Sequence, residues 1–343
     1  MKATGRGVAC RERGSRGQSY IFNALTLSEK SLIASIREQA RPGKKIVAGI
    51  GDDCAVLRIP AGHEALVTTD FSLEGMHFRR EWHAPEVVGH RCLTRGLSDI
   101  AAMGGAPIAA FLSLALPRSL TRSWVERFLK GLLGLADSFG LTLAGGDTAE
   151  SPNGVLVDIV VVGSVPRGKA IRRSGAKPGD RIYVSGGLGA SAATLELLRL
   201  GKKLRAADYL QHFRPMPRVE VGRGLQEKGL ASAMIDISDG LSTDLHHICS
   251  ESEVGAEIRT AAIPLARIGK ARRQVEMKFA LHGGEDYELL FTAPRNKTVP
   301  KQIAGVATTE IGRITRRKHV VLIDEKGVRD LPAQGWQHFQ RSE

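Results

Sequence analysis

The chain has 343 residues, 42% of them hydrophobic and 25% charged, which suits a soluble globular protein of one large domain or two ordinary ones. No apolar run approaches the roughly 20 residues that span a bilayer, so no membrane partner and a cytoplasmic setting are expected. The formal charge of +13 would suit an anionic small substrate or nucleic acid; aromatic residues, only 5% and not interleaved with Lys or Arg, argue against nucleic acid.

Residues 1–25 carry Lys2, Arg6, Arg11, Arg13 and Arg16 against Glu12 alone, with no continuous apolar stretch. This reads as a disordered basic leader or an early start codon, and not as a signal peptide. Folding is expected to begin at Thr26, where TLSE sets Thr26 and Glu29 as a capping box before a helix with Leu32, Ile33 and Ile36 on one face. Strands are expected at 45–50 and 64–69, a helix at 85–104, an apolar strand at 107–116, a helix at 123–140, and strands at LTLAGG and 155–165. The turn-rich, basic stretch 166–180 marks a boundary between a domain of residues 26–166 and one of residues 167–343. The second half repeats the alternation: RIYVS strand, SAATLELLRL helix, a helix near 217–229, SAMIDIS strand, TDLHHICSE helix, YELLFTA strand. Such alternation predicts an α/β or α+β protein. Cys10, Cys54, Cys92 and Cys249 form no C-x-x-C pair, and the last three read as buried free thiols of a reducing compartment.

There is no P-loop. The stretch 181–198 places Gly187-x-Gly189-x-x-Ala192 between a strand and a helix, which mimics a dinucleotide fingerprint. Its only suitably spaced acid, Asp208, lies in a loop-like segment, so a tight turn packing helix on sheet is the preferred reading. The acids say more. Asp52, Asp53, Asp70, Asp99, Asp147, Asp236, Asp239, Glu285 and Asp286 recur beside glycines and at strand ends. One such Asp is ordinarily a cap or turn residue. Many at strand-to-loop junctions point to a ligand site. If they converge, two carboxylates about 4 Å apart repel by about 4 kcal/mol at an effective dielectric near 20. Magnesium, a hard cation that takes carboxylate and phosphate oxygens, removes that conflict; Thr68, Thr69 and Ser238 can add oxygens. The Gly145-Gly146 pair lets backbone N–H groups approach phosphate.

The motifs GIGDDCAVL, TTDFSLEGMHF, LTRGLSDIAAMGGAP, LAGGDTAES, RRSGAKPGDRIYVSG, IDISDGLSTDL and HGGEDYELLF occur in that order over residues 26–340. As a set they resemble the thiamine-monophosphate kinases, of the superfamily that includes aminoimidazole ribonucleotide synthetase and selenophosphate synthetase. The resemblance implies a two-domain aminoimidazole ribonucleotide synthetase-like fold, α/β plus α+β, with the N-terminal domains pairing in a homodimer. It implies ATP as co-substrate, several magnesium ions, and phosphorylation of thiamine monophosphate to thiamine diphosphate. By the same resemblance, Asp53, Thr68, Thr69, Asp70, Asp99, Asp147, Asp236 and Asp239 match magnesium ligands. Gly146, Asp147, Arg173 and Ser238 match ATP contacts, and His77, Glu285 and Trp336 match substrate contacts. Asp52, next to Asp53 in a segment read as extended, would point to the opposite face as a structural partner. A phosphate nucleophile already dianionic at neutral pH needs no general base, and none is assigned. Met76 in GMHF departs from the smaller aliphatic residue more frequent in the family, which puts only the substrate loop in doubt. The competing readings are a sister enzyme, a basic nucleic-acid-binding protein and a catalytically dead nucleotide sensor. A selenophosphate synthetase would need a reactive Cys beside a Lys in its N-terminal glycine segment, whereas Cys10 lies in the basic leader.

Overall fold

In the computed structural model, which describes residues 29–40 and 43–336, the N-terminal half builds a four-stranded sheet covered by helices on one face. The expected leader and the Thr26 cap lie outside the described residues; the helix itself, α1 (Glu29–Gln39), is present. A small antiparallel pair, β1 (Ile46–Ala48) and β2 (Val56–Leu57), follows. The sheet contains β3 (His63–Leu73), β4 (Ala106–Leu116), β5 (Thr142–Glu150) and β6 (Leu156–Pro166), in the order β3-β6-β4-β5. Only β4 and β5 run parallel, because the helix α3 (Arg122–Ser138) supplies the crossover between them. The Thr121 hydroxyl caps α3 by accepting from Trp124 N at 3.3 Å.

The C-terminal half has an eight-stranded mixed sheet. Its elements in chain order are β7 (Arg181–Ser185), α4 (Ala190–Arg199), α5 (Leu210–Phe213), α6 (Val219–Glu227), β8 (Ala233–Asp236), α7 (Leu241–Glu251) and β9 (Gly255–Arg259). A short pair β10 (Arg267–Ile268) and β11 (Arg273–Gln274) precedes α8 (Met277–His282). The chain ends in β12 (Leu289–Ala293), β13 (Gln302–Ile303), β14 (Val306–Thr315), β15 (Val320–Asp324) and β16 (Gly327–Asp330). The strand order is β16-β15-β9-β14-β7-β12-β8, with β13 paired to β14. Strands β9 and β13 to β16 belong to no helix–strand alternation that the sequence displayed.

Strand periodicity explains the layers. In RIYVS, Ile182 and Val184 enter one core with Ile235, Leu245 and Ile258, while Tyr183 enters another with Met234, Leu289 and Phe291. That second core continues without interruption into the N-terminal half, through Leu93, Leu97, Phe128, Leu132 and Val161. Between the two sheets lies α2 (Pro85–Ala102), most of whose residues are buried. Its polar residues His90, Arg91, Thr94 and Ser98 are buried along with its apolar ones. No helix among the described residues is long and apolar enough to cross a membrane.

Helices α2 and α3 touch backbone to backbone. A Cβ added at Gly131 would lie 1.9 Å from the Glu86 carbonyl oxygen, whereas one at Gly134 on the same helix meets nothing within 4 Å. Gly131→Ala is expected to destabilise by about 1–3 kcal/mol through overpacking. Gly134→Ala is expected to stabilise by about 0.5–1 kcal/mol through helix propensity. Thermal unfolding of the two variants beside wild type checks the opposite signs.

Candidate active site

A cavity of about 670 Å³ opens between the two halves. From the N-terminal half it receives Asp70 on β3, His77 in the loop after β3, and Asp99 on α2. From the other side come Arg173 in the connecting segment, Asp236 at the end of β8, Ser238 and Asp239 in the turn that follows, Glu285 before β12, and Trp336. Eight residues from five separate sequence motifs, together with Trp336, thus share one space. Trp336 is held there by its backbone N–H, which donates to the Asp239 carbonyl at 3.0 Å. His77 Nδ1 accepts from the Leu73 N–H at 3.0 Å.

The carboxylates feel one another. Burial raises Asp70 to about 6, with Arg95 opposing and Asp99 adding to the rise. Burial, then the charge of Asp99, raises Asp236 to about 7, although the Ser98 hydroxyl donates to it at 2.7 Å. Asp99 is raised by burial against a hydrogen bond from the Thr68 hydroxyl. Arg173 faces this group and favours the charged forms of both Asp99 and Asp236. Asp244, on the first turn of α7, is pushed well above the carboxylate range by burial and by Asp236 and Asp239. Ligand atoms of Asp239, Asp244 and His247 all lie within 4.8 Å of one another. Asp244 and His247 escape the sequence reading because each sits inside an ordinary amphipathic helix.

The other members of the set lie elsewhere. Asp53, Gly146 and Asp147 line a second cavity of about 430 Å³ in the N-terminal half, with Ile33, Ile36 and Phe111. Gly146 has φ +147°, and a Cβ there would lie 1.9 Å from the Leu112 carbonyl oxygen, so strand approach alone demands glycine. Thr68 points inward to Asp99, but Thr69 faces the opposite side of the sheet and donates to Asp158 at 2.6 Å. The expected separation of Asp52 from Asp53 is corrected: residues 51–54 form a turn, with Gly51 at φ +125°, and both aspartates line the second cavity. Strand alternation does not apply in a turn. Cys92 and Cys249 are buried free thiols as expected, whereas Cys54 in the same turn is exposed.

The dinucleotide-like glycines serve packing. The Asp286 carboxylate accepts from the Gly189 N–H at 2.6 Å and the Ser191 N–H at 3.4 Å, filling the α4 N-terminus where a pyrophosphate would sit. A Cβ on Gly189 would lie 2.7 Å from Ala280 N. Asp208 pairs with Arg205 at 2.7 Å on the surface.

Family models describe both halves: residues 51–165 match the AIR synthase related protein N-terminal domain, and residues 177–325 the C-terminal domain. Thiamine-monophosphate kinase of Escherichia coli (strain K12) is 38% identical over 92% of this chain and 99% of its own length. The chain belongs to the thiamine-monophosphate kinase family. The solved thiamine-monophosphate kinase from Stenotrophomonas maltophilia K279a is 36% identical, covers 90% of this chain and 98% of its own, and superposes with a TM-score of 0.75. A solved AaThiL complexed with AMPPCP and TMP is 34% identical, covers 91% and 97%, and has a TM-score of 0.72.

Within this thiamine-monophosphate kinase fold, the sequence reading missed the cations that organise the cavity. Arg91 and Arg95 are four apart and so share one face of α2, the one signal that could have found them. Arg91 pairs with Glu285 at 2.6 Å, and Arg95 reaches both Glu285 and Asp70 at 3.4 Å. Glu285 and Tyr287 hold φ of 63° and 52°, a strained loop of the kind found at functional sites. Burial alone would raise Glu285, but Arg91 and Arg95 outweigh it and hold it down to about 2. Its stabilising contribution is therefore fully present above pH 4.5 and is lost as the pH falls toward 2. Glu285→Gln is expected to cost about 3 kcal/mol at pH 7, and the gap to wild type is expected to narrow below pH 4.5. Denaturant titrations across that range measure it.

Proposed function

We propose that this chain phosphorylates thiamine monophosphate to thiamine diphosphate with ATP, by direct in-line transfer, at the acid-lined cavity between its halves. The observation that carries the reading is the confluence of Asp70, Asp99, Asp236 and Asp239 with Arg173, at a site shared with the residues His77, Glu285 and Trp336. The family to which the chain belongs has this activity by name, and the AaThiL relative has been solved with AMPPCP and TMP. Cytoplasmic work is consistent with the free thiols Cys54, Cys92 and Cys249.

The residues fit magnesium. The donors are hard oxygens; burial raises Asp70, Asp99 and Asp236, the charge of Asp99 adds to the rise at Asp70 and Asp236, and a bound cation would offset both costs. Asp70, Asp99, Asp236 and Asp239 would hold ions in the larger cavity, with Thr68 beside Asp99. Asp53 and Asp147 would hold them in the smaller one, with Gly146 beside the phosphates and Thr69 on the adjoining sheet face. Bound magnesium supplies charge neutralisation between two polyanions, the main barrier to phosphoryl transfer.

The chain's own groups do the rest. Arg173 offers a planar fork to phosphate oxygens, and Ser238 offers its hydroxyl to ATP. The nucleophile is a phosphate oxygen of thiamine monophosphate, mostly dianionic at neutral pH, so no residue has to remove a proton. The Trp336 ring face suits a cationic thiazolium, with Glu285 and His77 as polar contacts.

A homodimer through the sheet face opposite α2, which the β1–β2 pair covers only in part, belongs to the same proposal. Val67 and Phe71 on β3 are 68% and 56% exposed on the face opposite α2, beside the partly buried Phe111. Such apolar exposure on a sheet marks an interaction surface. Phe71→Asp is expected to yield folded monomers in sedimentation equilibrium, where wild type sediments as a dimer.

Turnover is tested by following thiamine diphosphate after oxidation to thiochrome, with every component omitted in turn. Asp70→Asn is expected to lower kcat by about 10²–10³-fold, the scale of one lost electrostatic group. Magnesium is expected to raise the melting temperature of wild type more than that of the variant. ATP binding without product formation would refute the assignment.

A further inference from the structure

The interdomain cavity has an apolar wall made by Phe78, Trp82 and Leu195, and behind it lie two buried histidines and a buried serine. His83, His212 and Ser191 are at most 2% exposed, and none belongs to the acid set. The His83 and His212 Nε2 atoms are 3.1 Å apart, and His212 Nδ1 lies 3.0 Å from the Ser191 hydroxyl. Two imidazoles meeting through Nε2 need one donor and one acceptor, so the tautomer of one dictates the other.

The direction is set at the far end of the chain of bonds. His83 Nδ1 lies 3.2 Å from the Arg79 N–H and 3.1 Å from the Arg79 carbonyl oxygen. That carbonyl already accepts from Trp82 N at 3.0 Å and His83 N at 2.9 Å. The arrangement that serves this part-buried N–H as well makes Nδ1 the acceptor, because the N–H is directed at Nδ1 and the carbonyl is already served twice. His83 then carries its proton on Nε2 and donates it to His212 Nε2. His212 carries its proton on Nδ1 and donates it to Ser191 Oγ. Ser191 is thereby used as an acceptor from behind, and its own O–H is left to point into the cavity. Both rings must be neutral for this, and their surroundings favour the neutral form. Burial first, then the charge of Arg91, lowers His83 to about 4 and His212 well below the ordinary histidine range.

We propose that Ser191 is a specificity-determining donor: a flat heteroaromatic ring lies against Phe78, Trp82 and Leu195 and presents a lone-pair nitrogen to the Ser191 hydroxyl. This rests on the function proposed above, under which the ring is the aminopyrimidine of thiamine monophosphate. That ring has two acceptor nitrogens, N1′ and N3′, and no other part of the substrate combines a flat neutral face with a lone pair. The serine would thus read the end of the substrate remote from the reacting phosphate.

The test uses the full chain and three substrates: thiamine monophosphate and its two deaza analogues, in which N1′ or N3′ is replaced by C–H. In wild type, one analogue is expected to lose about five- to tenfold in kcat/KM, the size of one neutral hydrogen bond. In Ser191→Ala, thiamine monophosphate is expected to fall to the level of that analogue, and the difference between them to vanish. Equal kcat/KM for all three substrates in wild type would overturn the inference without any variant. So would discrimination that persists in Ser191→Ala, or a loss in that variant that appears in KM for ATP instead. Absence of transfer to thiamine monophosphate by wild type would count against the function itself, a distinct result.

Discussion

A buried ion pair ties the two halves together at the place where chemistry is proposed. Arg91 reaches from α2 in the N-terminal half to Glu285 in the C-terminal half, and Arg95, one turn later, divides itself between Glu285 and Asp70. Removing either partner would strand a charge in a low-dielectric setting, the condition under which buried pairs matter most. The pair also fixes the direction of the α2 surface. With Arg91 and Arg95 so directed, Ser98 meets Asp236, and Asp99 meets Thr68. One helix therefore delivers counter-charge, hydroxyl and carboxylate to the same cavity at successive turns.

The short HGGEDYELL segment shows how closely one motif can mix tasks. Glu285 faces the cavity and its arginines, Asp286 caps α4, and Glu288 binds Arg218 in a fork at 2.5 and 2.7 Å. Two of the three acids are architectural. Around them, Asp70, Asp99, Asp236 and Asp244 are all pushed toward protonation by burial. A fold that retains so much unfavourable electrostatics in one place is consistent with stability being sacrificed locally for function.

Much of the architecture was legible because period and punctuation agree. Helix α2 ends beside Gly104-Gly105, α3 starts at a threonine cap, and the run at 155–165 is rich in β-branched Val and Ile. The strands β9 and β13 to β16 were not, since charged residues such as Glu257, Arg313 and Asp324 interrupt their apolar runs, although β9 and β14 lie inside the sheet. The candidate site was legible as acids next to glycines. Its division into two cavities was not, because which cavity Asp53 or Asp70 enters depends on chain paths that meet only in three dimensions. Arg91, His83, His212 and Ser191 were hidden for another reason. Each is a polar residue made buriable by partners distant in sequence, and local pattern carries no trace of such partners.

The uninterrupted core through α2 has a consequence for how this molecule can be taken apart. Met234, Leu289 and Phe291 from the second sheet bury themselves in the same apolar mass as Leu93, Leu97 and Phe128 from the first half, and Gly222 of α6 touches the backbone of Ala101 so closely that a Cβ would overlap it. Cutting the chain at the connecting segment would leave each fragment with a raw hydrophobic face. Each fragment would then expose apolar surface that the other covers in the intact chain, and moving one half away from the other would have to unpack that shared core at the expense of its buried apolar contacts.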